Sequence, residues 1–179
     1  AWRVRDVVAH VIEGSNLSVG NVIGSLVKHG FGLNTMLEHE AVKEGAQPID
    51  ELRTQLRDTI GKRKTPPGAK PVDVLVDLVV HQQDVRRPLQ LPRIIAPETL
   101  AAALDRASSR AGLLGGLLPG KKRTRDLKLR AADIDWERGE GEELQGPGEA
   151  LLMAIGGRRA ALVQLSGPGL DTLSTRLLG

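Results

Sequence analysis

The most regular hydrophobic pattern in the chain lies between two prolines, in the stretch 71–88, PVDVLVDLVVHQQDVRRP. Most of its positions are apolar, and four polar residues interrupt them at i, i+4, i+8 and i+11: Asp73, Asp77, His81 and Asp84. At about 100° per residue, these four side chains fall within roughly 80° of one another on a helix. The pattern therefore predicts a largely buried helix with one narrow polar stripe.

This polar stripe has two interpretations. In the first, it is the thin solvent-facing edge of a core helix. In the second, Asp77 and His81, which are neighbours one helical turn apart, offer a carboxylate oxygen and an imidazole nitrogen to the same metal ion. A catalytic zinc usually has three protein ligands and an open position. The second interpretation therefore requires a third ligand from elsewhere in the chain.

Helical periodicity also predicts most of the other elements. The first segment, WRVRDVVAHVIEG, is an amphipathic helix that carries His10 beside its apolar face. Further helices are predicted over 15–29, 34–44 and 49–60, from residue 97 onward, over 147–165 and over 170–178, with a turn at 30–32. His29 and His39 lack an acidic partner at ligand spacing, and we interpret both as surface residues.

Alternation with period two predicts β structure near the C-terminal end. Leu127 and Leu129 alternate with charged residues, and Ile134 and Trp136 do so again two alanines later. This pattern indicates one bulged strand or two short strands, followed by a glycine-rich turn and a short return strand.

Composition limits the chemistry. The 179 residues include two Trp, one Phe and no Tyr, which favours helices packed through aliphatic side chains. There is no cysteine, so any metal must be held by nitrogen and oxygen, and any thiol in the chemistry must arrive as a cofactor. No apolar run approaches the ~18 to 20 residues of a membrane span, and we expect a cytoplasmic protein without a membrane partner.

The segment 121–130, KKRTRDLKLR, holds six basic residues and one acid. One interpretation is a binding patch for an anionic ligand or nucleic acid. The other is a solvated loop that leads into an edge strand, where Lys and Arg prevent aggregation. The segment has no aromatic side chains on which bases could stack, and the net charge of the chain is only +3. We therefore favour the loop and expect no specific nucleic-acid partner.

Three strings in the sequence together resemble the mycothiol-dependent maleylpyruvate isomerase-like proteins of the DinB superfamily. They are WRVRDVVAH near the start, DLVVHQQDVRRPLQLP in the middle and GPGEALLMAIGGRRAALVQLSGPGLDTL at the end. The resemblance implies a mainly helical protein, with an up-down metal-binding bundle over 1–111 and a small α/β subdomain over 121–179. The isomerase itself has Glu at the position of Asp77, and the family has a further helix before the Trp.

The resemblance also implies the missing ligand. The family places one metal-binding histidine at the end of the first string, and an acid and a second histidine on a later helix, positions that correspond here to His10, Asp77 and His81. The expected metal is a divalent ion, and we expect Zn²⁺. Asp84 would then accept a hydrogen bond from a ligand histidine or pair with Arg87 or another cation, outside the ligand set.

The expected function follows from this site. The open metal position would bind the thiol of mycothiol, and attack on a small electrophilic substrate would give isomerase or thiol-transferase chemistry. A second hypothesis is a non-catalytic metal-binding or regulatory protein of the same fold. A third is binding of an anionic ligand or nucleic acid through 121–130.

Overall fold

A computed structural model describes residues 2–16, 33–62, 65, 69–109 and 120–178, and the side chains of 33–37 are not among the described groups. Most of the predicted helix over 15–29, the turn at 30–32 and His29 lie outside these ranges. Within them the chain is mainly helical with a small three-stranded sheet, as predicted. None of the helices described is long and apolar enough to cross a membrane.

The helices and strands follow one another in a simple order. The N-terminal helices are α1 (Val4–Gly14), α2 (Leu33–Glu44), α3 (Ile49–Thr59), α4 (Pro71–Arg86) and α5 (Pro97–Ser109). A short helix α6 (Gly120–Arg123) precedes strands β1 (Leu127–Ala131), β2 (Glu137–Arg138) and β3 (Glu142–Gly146). The chain continues with α7 (Gly148–Ile155), a 3₁₀ helix (Arg159–Gln164) and α8 (Gly169–Leu178).

The chain divides into two compact units, Ala1–Val74 and Leu75–Gly179, and the division falls inside α4. In the first unit α1 packs against α2 and α3. Its core is small and consists of Ala9, Ile12 and Leu52, flanked by Val8 and Leu56. Val8, Ala9 and Ile12 belong to α1, and Leu52 and Leu56 belong to α3.

Two polar residues of the first string, Arg3 and Asp6, form the start of α1. The Asp6 carboxylate accepts hydrogen bonds from the Arg3 backbone N–H (2.8 Å) and from the Arg3 guanidinium (2.7 and 3.0 Å). The backbone bond is the reach-back half of a capping box, which satisfies an N–H at the helix start. The ring centroids of Trp2 and His10 lie 5.1 Å apart. The string WRVRDVVAH therefore forms a capped helix start in which the rings of Trp2 and His10 are neighbours.

The second unit is built on the three-stranded sheet and α7. Strand β1 is central, antiparallel to β2 and parallel to β3, with Leu129 opposite Arg138 on one side and Leu144 on the other. Helix α7 is apolar around nearly its whole circumference and packs against α5 and the sheet, as expected for a helix buried in a core. Val76, Val79 and Val80 of α4 belong to the same core.

Two predictions about this region were wrong. Strand β1 is not an edge strand, because Leu127, Leu129 and Ala131 point into the core while both of its edges are paired. The helix predicted over 147–165 ends at Ile155, because Gly157 adopts φ +94°. The Gly157 N–H binds Ala154 O and the Arg158 N–H binds Met153 O, both at 2.9 Å, the hydrogen bonds of a Schellman motif.

Candidate metal centre

Helix α4 places Asp77 and His81 one turn apart, as the sequence predicts. Asp77 Oδ1 lies 3.5 Å from His81 Nε2. The His81 side chain is 11% exposed and that of Asp77 is 45% exposed, so one ligand candidate is held in the interior and the other reaches solvent. The polar stripe is therefore not simply the solvent-facing edge of a core helix, because the His81 side chain within it is buried.

The remaining members of the stripe have other contacts. Asp73 is buried, and its Oδ2 accepts the Lys70 backbone N–H (2.8 Å), so that it caps the start of α4. Asp84 Oδ2 lies 2.9 Å from His81 Nδ1. An ionised carboxylate can only accept, so Nδ1 carries the hydrogen of this bond. With the hydrogen on Nδ1, the neutral form of the imidazole has its lone pair on Nε2, the nitrogen that faces Asp77.

Asp84 is also held by a cation from the far end of the chain. Arg158 Nε donates to Oδ1 (3.0 Å) and Arg158 Nη2 donates to Oδ2 (2.6 Å), which makes a bidentate pair. Burial is the largest single influence on the Asp84 carboxyl and favours its neutral form. The hydrogen bonds from His81 and Arg158, with their charges, outweigh burial and lower the pKa of Asp84 to about 2. Asp84 is therefore ionised at neutral pH.

The sequence analysis considered Arg87 as a partner of Asp84, but Arg87 pairs with another carboxylate. Its guanidinium makes a bidentate pair with Glu149 at the start of α7, with Nε 2.8 Å from Oε1. It also donates to Gln164 Oε1 (2.9 Å). Arg87 therefore ties α4 to α7 and the 3₁₀ helix, and the cation on Asp84 is Arg158.

His10, the third ligand candidate, is half-buried on α1. One ligand atom each from His10, Asp77 and His81 can be chosen so that all three atoms lie within 4.8 Å of one another, a group that could hold a metal ion. Zinc binds nitrogen and oxygen ligands at about 2.0–2.2 Å, so two ligand atoms of a tetrahedral site are roughly 3.3–3.5 Å apart. Asp77 Oδ1 and His81 Nε2 have this spacing, and the two-nitrogen, one-oxygen donor set suits a catalytic zinc.

The other polar residues singled out in the sequence lie elsewhere. His39 is exposed on α2, which confirms its assignment to the surface. In the basic segment, Lys121 and Lys122 are exposed on α6. Arg123 is half-buried and donates to Ile155 O (2.8 Å) at the end of α7. Of these three basic residues, two face solvent and one binds the end of a helix.

The sequence analysis did not predict the contact between Arg158 and Asp84. The available signal was the GGRR string at 156–159, in which two glycines interrupt an apolar helix and two arginines follow at once. If the string continues the helix, Arg158 lies on the surface of that helix. If the string ends the helix, the chain can turn back toward α4.

Comparison of the chain with models of known protein families, with curated proteins and with solved structures gave no match. The assignment of a function therefore depends on the residues themselves.

Proposed function

We propose that the chain is a cytoplasmic, metal-dependent enzyme with a DinB-type helical bundle, in which His10, Asp77 and His81 hold a divalent ion, for which we propose Zn²⁺. The observation that carries the proposal is the geometry around His81. Its Nδ1 is engaged by Asp84 and its Nε2 faces Asp77 at 3.5 Å, within a three-residue group compatible with a metal. Metal-binding histidines characteristically have this arrangement, with the second ring nitrogen hydrogen-bonded to a carboxylate.

The proposed chemistry is thiol-dependent, with mycothiol as cosubstrate and a small electrophile as substrate. A divalent ion would lower the pKa of a bound thiol, which makes the thiolate available at neutral pH. The chain has no cysteine, so the nucleophilic sulfur must be brought in by a cosubstrate. Three protein ligands leave a fourth position for it. The resemblance of the three strings to the mycothiol-dependent isomerase-like family supports this choice of thiol.

Each of the chain's own residues has a defined part in this proposal. Asp84 holds the proton on His81 Nδ1 and keeps the Nε2 lone pair available. Asp77 supplies the negative charge among the ligands, and its exposure leaves the site open on the solvent side. Since Asp84 is already engaged with His81 and Arg158, it is a support for a ligand and not a fourth ligand.

Metal analysis tests the ligand set. Protein loaded with Zn²⁺ and freed of excess ion should retain about one equivalent. His10→Ala and His81→Ala should each lose most of it, whereas His39→Ala, which removes an exposed histidine from α2, should retain it. Circular dichroism checks that the variants are folded. Full occupancy in both His10→Ala and His81→Ala would refute the site.

A second measurement separates the enzyme from a non-catalytic metal-binding protein. Zinc-loaded wild type should accelerate the reaction of mycothiol with small electrophiles such as maleylpyruvate, and the metal-free protein and His81→Ala should not. A protein that keeps its metal but gives no thiol-dependent turnover across such a panel would favour the non-catalytic alternative.

A further inference from the structure

Arg158 reaches Asp84 with the geometry of a fork. Its Nε and Nη2 bind the two different oxygens of the carboxylate at 3.0 and 2.6 Å, while Nη1 donates to Gly156 O (2.8 Å). The side chains of Arg158 and Asp84 are 28% and 22% exposed. A pair that is mostly shielded and bidentate has a defined orientation, which an exposed single contact lacks.

The orientation matters because one oxygen of Asp84 is shared. Oδ2 accepts from Arg158 Nη2 and also from His81 Nδ1 at 2.9 Å. A carboxylate rotates readily about its terminal torsion, which has broad minima. The two-point contact with Arg158 sets the plane of the carboxylate and directs Oδ2 toward the ring of His81.

We propose that Arg158 is a positioning residue for the metal centre, which acts through Asp84 to fix the tautomer and ring orientation of His81. This inference rests on the proposed function and concerns a residue whose guanidinium binds Asp84. The chain of contacts runs from Arg158 to Asp84, then to His81 Nδ1, and leaves His81 Nε2 with the lone pair that binds the metal.

Two neighbouring arginines, Arg87 and Arg159, bind other groups. Arg87, three residues after Asp84, pairs with Glu149. Arg159, the next residue after Arg158, donates from Nε and Nη2 to Leu177 O at the end of α8. Arg159 therefore offers a matched control: it has the same side chain, and its Nε and Nη2 likewise bind one group, but this group is Leu177 O and not the Asp84 carboxylate.

The first test measures the tautomer of His81 in the metal-free protein. Two-bond ¹H–¹⁵N correlations distinguish Nδ1–H from Nε2–H imidazole, and the His81 signals are assigned by difference from His81→Ala. At alkaline pH the wild type and Arg159→Ala should show the Nδ1–H form. Arg158→Ala should show a mixture of the two tautomers. This measurement needs no metal, so it remains decisive even if the proposed function fails.

The second test measures zinc affinity by competition with a chelator. Loss of a residue that supports a metal ligand typically weakens binding by about 10- to 100-fold, so Arg158→Ala should lose affinity in this range while Arg159→Ala stays near wild type. Asp84→Asn should keep the metal with a similar loss. In the Asp84→Asn background, Arg158→Ala should add little, because both substitutions break the same chain of contacts.

Several results would overturn the inference. One is an Arg158→Ala protein with the wild-type tautomer and wild-type zinc affinity, and another is an equal loss in Arg159→Ala. Full additivity of Arg158→Ala and Asp84→Asn would show that Arg158 does not act through Asp84. If Arg158→Ala does not fold, Arg158→Lys replaces it, since lysine keeps the charge but cannot bind two oxygens as a fork. A wild-type tautomer and affinity in Arg158→Lys would refute the orienting role.

Discussion

Replacement of Asp6 by alanine should loosen the helix that carries His10. Asp6 is 2% exposed, and its carboxylate accepts the Arg3 backbone N–H at the start of α1. In Asp6→Ala that N–H loses its partner and the buried carboxylate is replaced by a methyl group. The structure around it is tight, since a Cβ added to Gly45 would lie only 2.5 Å from Asp6 Oδ1.

The expected cost can be worked out from these contacts. Loss of a side-chain cap at a helix start destabilises a protein by about 0.5–2 kcal/mol. The guanidinium of Arg3 is 57% exposed, and we assign none of the cost to its pair with Asp6. Because Asp6 is buried, the upper half of the range applies, and we expect a loss of about 1–2 kcal/mol in the free energy of unfolding of the first unit.

Trp2 provides the assay. Wild type and Asp6→Ala are compared in a Trp136→Phe background, which leaves Trp2 as the single tryptophan, and urea unfolding is followed by its emission. Asp50→Ala is the control, because Asp50 is in the first turn of α3 and its side chain is 87% exposed. The control should change stability by less than about 0.5 kcal/mol. Equal midpoints for Asp6→Ala and Asp50→Ala would refute the capping role.

The pH dependence gives an independent check. The hydrogen bond from the Arg3 side chain is the main cause that lowers the pKa of Asp6 below its ordinary value of 3.8, and burial opposes it. A carboxyl whose pKa is lowered on folding stabilises the protein at higher pH, and this contribution is lost as the pH falls through the folded-state pKa. The difference between wild type and Asp6→Ala should therefore be constant above about pH 5 and shrink below pH 3.8. A difference that grows on acidification would contradict this account.

Two further predictions concern the second unit. Gly157→Ala should cost about 1–3 kcal/mol in urea unfolding, because its φ of +94° strains any L side chain and a Cβ would lie 3.1 Å from the Arg123 guanidinium. Gly61→Ala, at φ +82° with open space around it, should cost less, and the reverse order would contradict the role given to crowding. Binding of DNA by the basic segment, measured by fluorescence anisotropy, should be weak, independent of sequence and lost at moderate salt. A tight, sequence-selective complex at physiological salt would place the protein in another functional class.

The sequence predicted those parts of the fold that depend on local pattern. Helices α1, α3, α4 and α8 start and end within a few residues of their predicted limits, because apolar periodicity and prolines such as Pro71 act over one or two turns. The spacing of Asp77 and His81 followed in the same way, since i and i+4 are neighbours on any helix. The 3.5 Å distance between Asp77 Oδ1 and His81 Nε2 requires only that both residues lie on the same helix.

The order of strands depends on contacts between distant segments. The alternation in LKLRA predicts a strand, and the charges within it suggested an exposed edge. Strand β1 is instead central because β3, eleven or more residues later, adds to it in parallel on the side opposite β2. In a sheet with one covered face, apolar and polar residues alternate in the same way along central and edge strands. The alternation therefore cannot show which strands pair with β1. Helix α5 packs against α7, a contact between distant segments that the local pattern of residues 97–109 does not predict.

The break in the helix at the end of α7 bears on the proposed metal centre, because Arg158 follows it directly. If the helix had continued through Gly156 and Gly157, the side chain of Arg158 would have followed the helical rotation of about 100° per residue. The positive φ of Gly157 stops that rotation and allows the Arg158 guanidinium to bind both Asp84 and Gly156 O. Only glycine takes such a conformation without strain, so the glycine pair and the arginine act together. An apolar pattern that continues past residue 157 conceals this break, and the residue that orients Asp84 becomes visible only when the helix is seen to end.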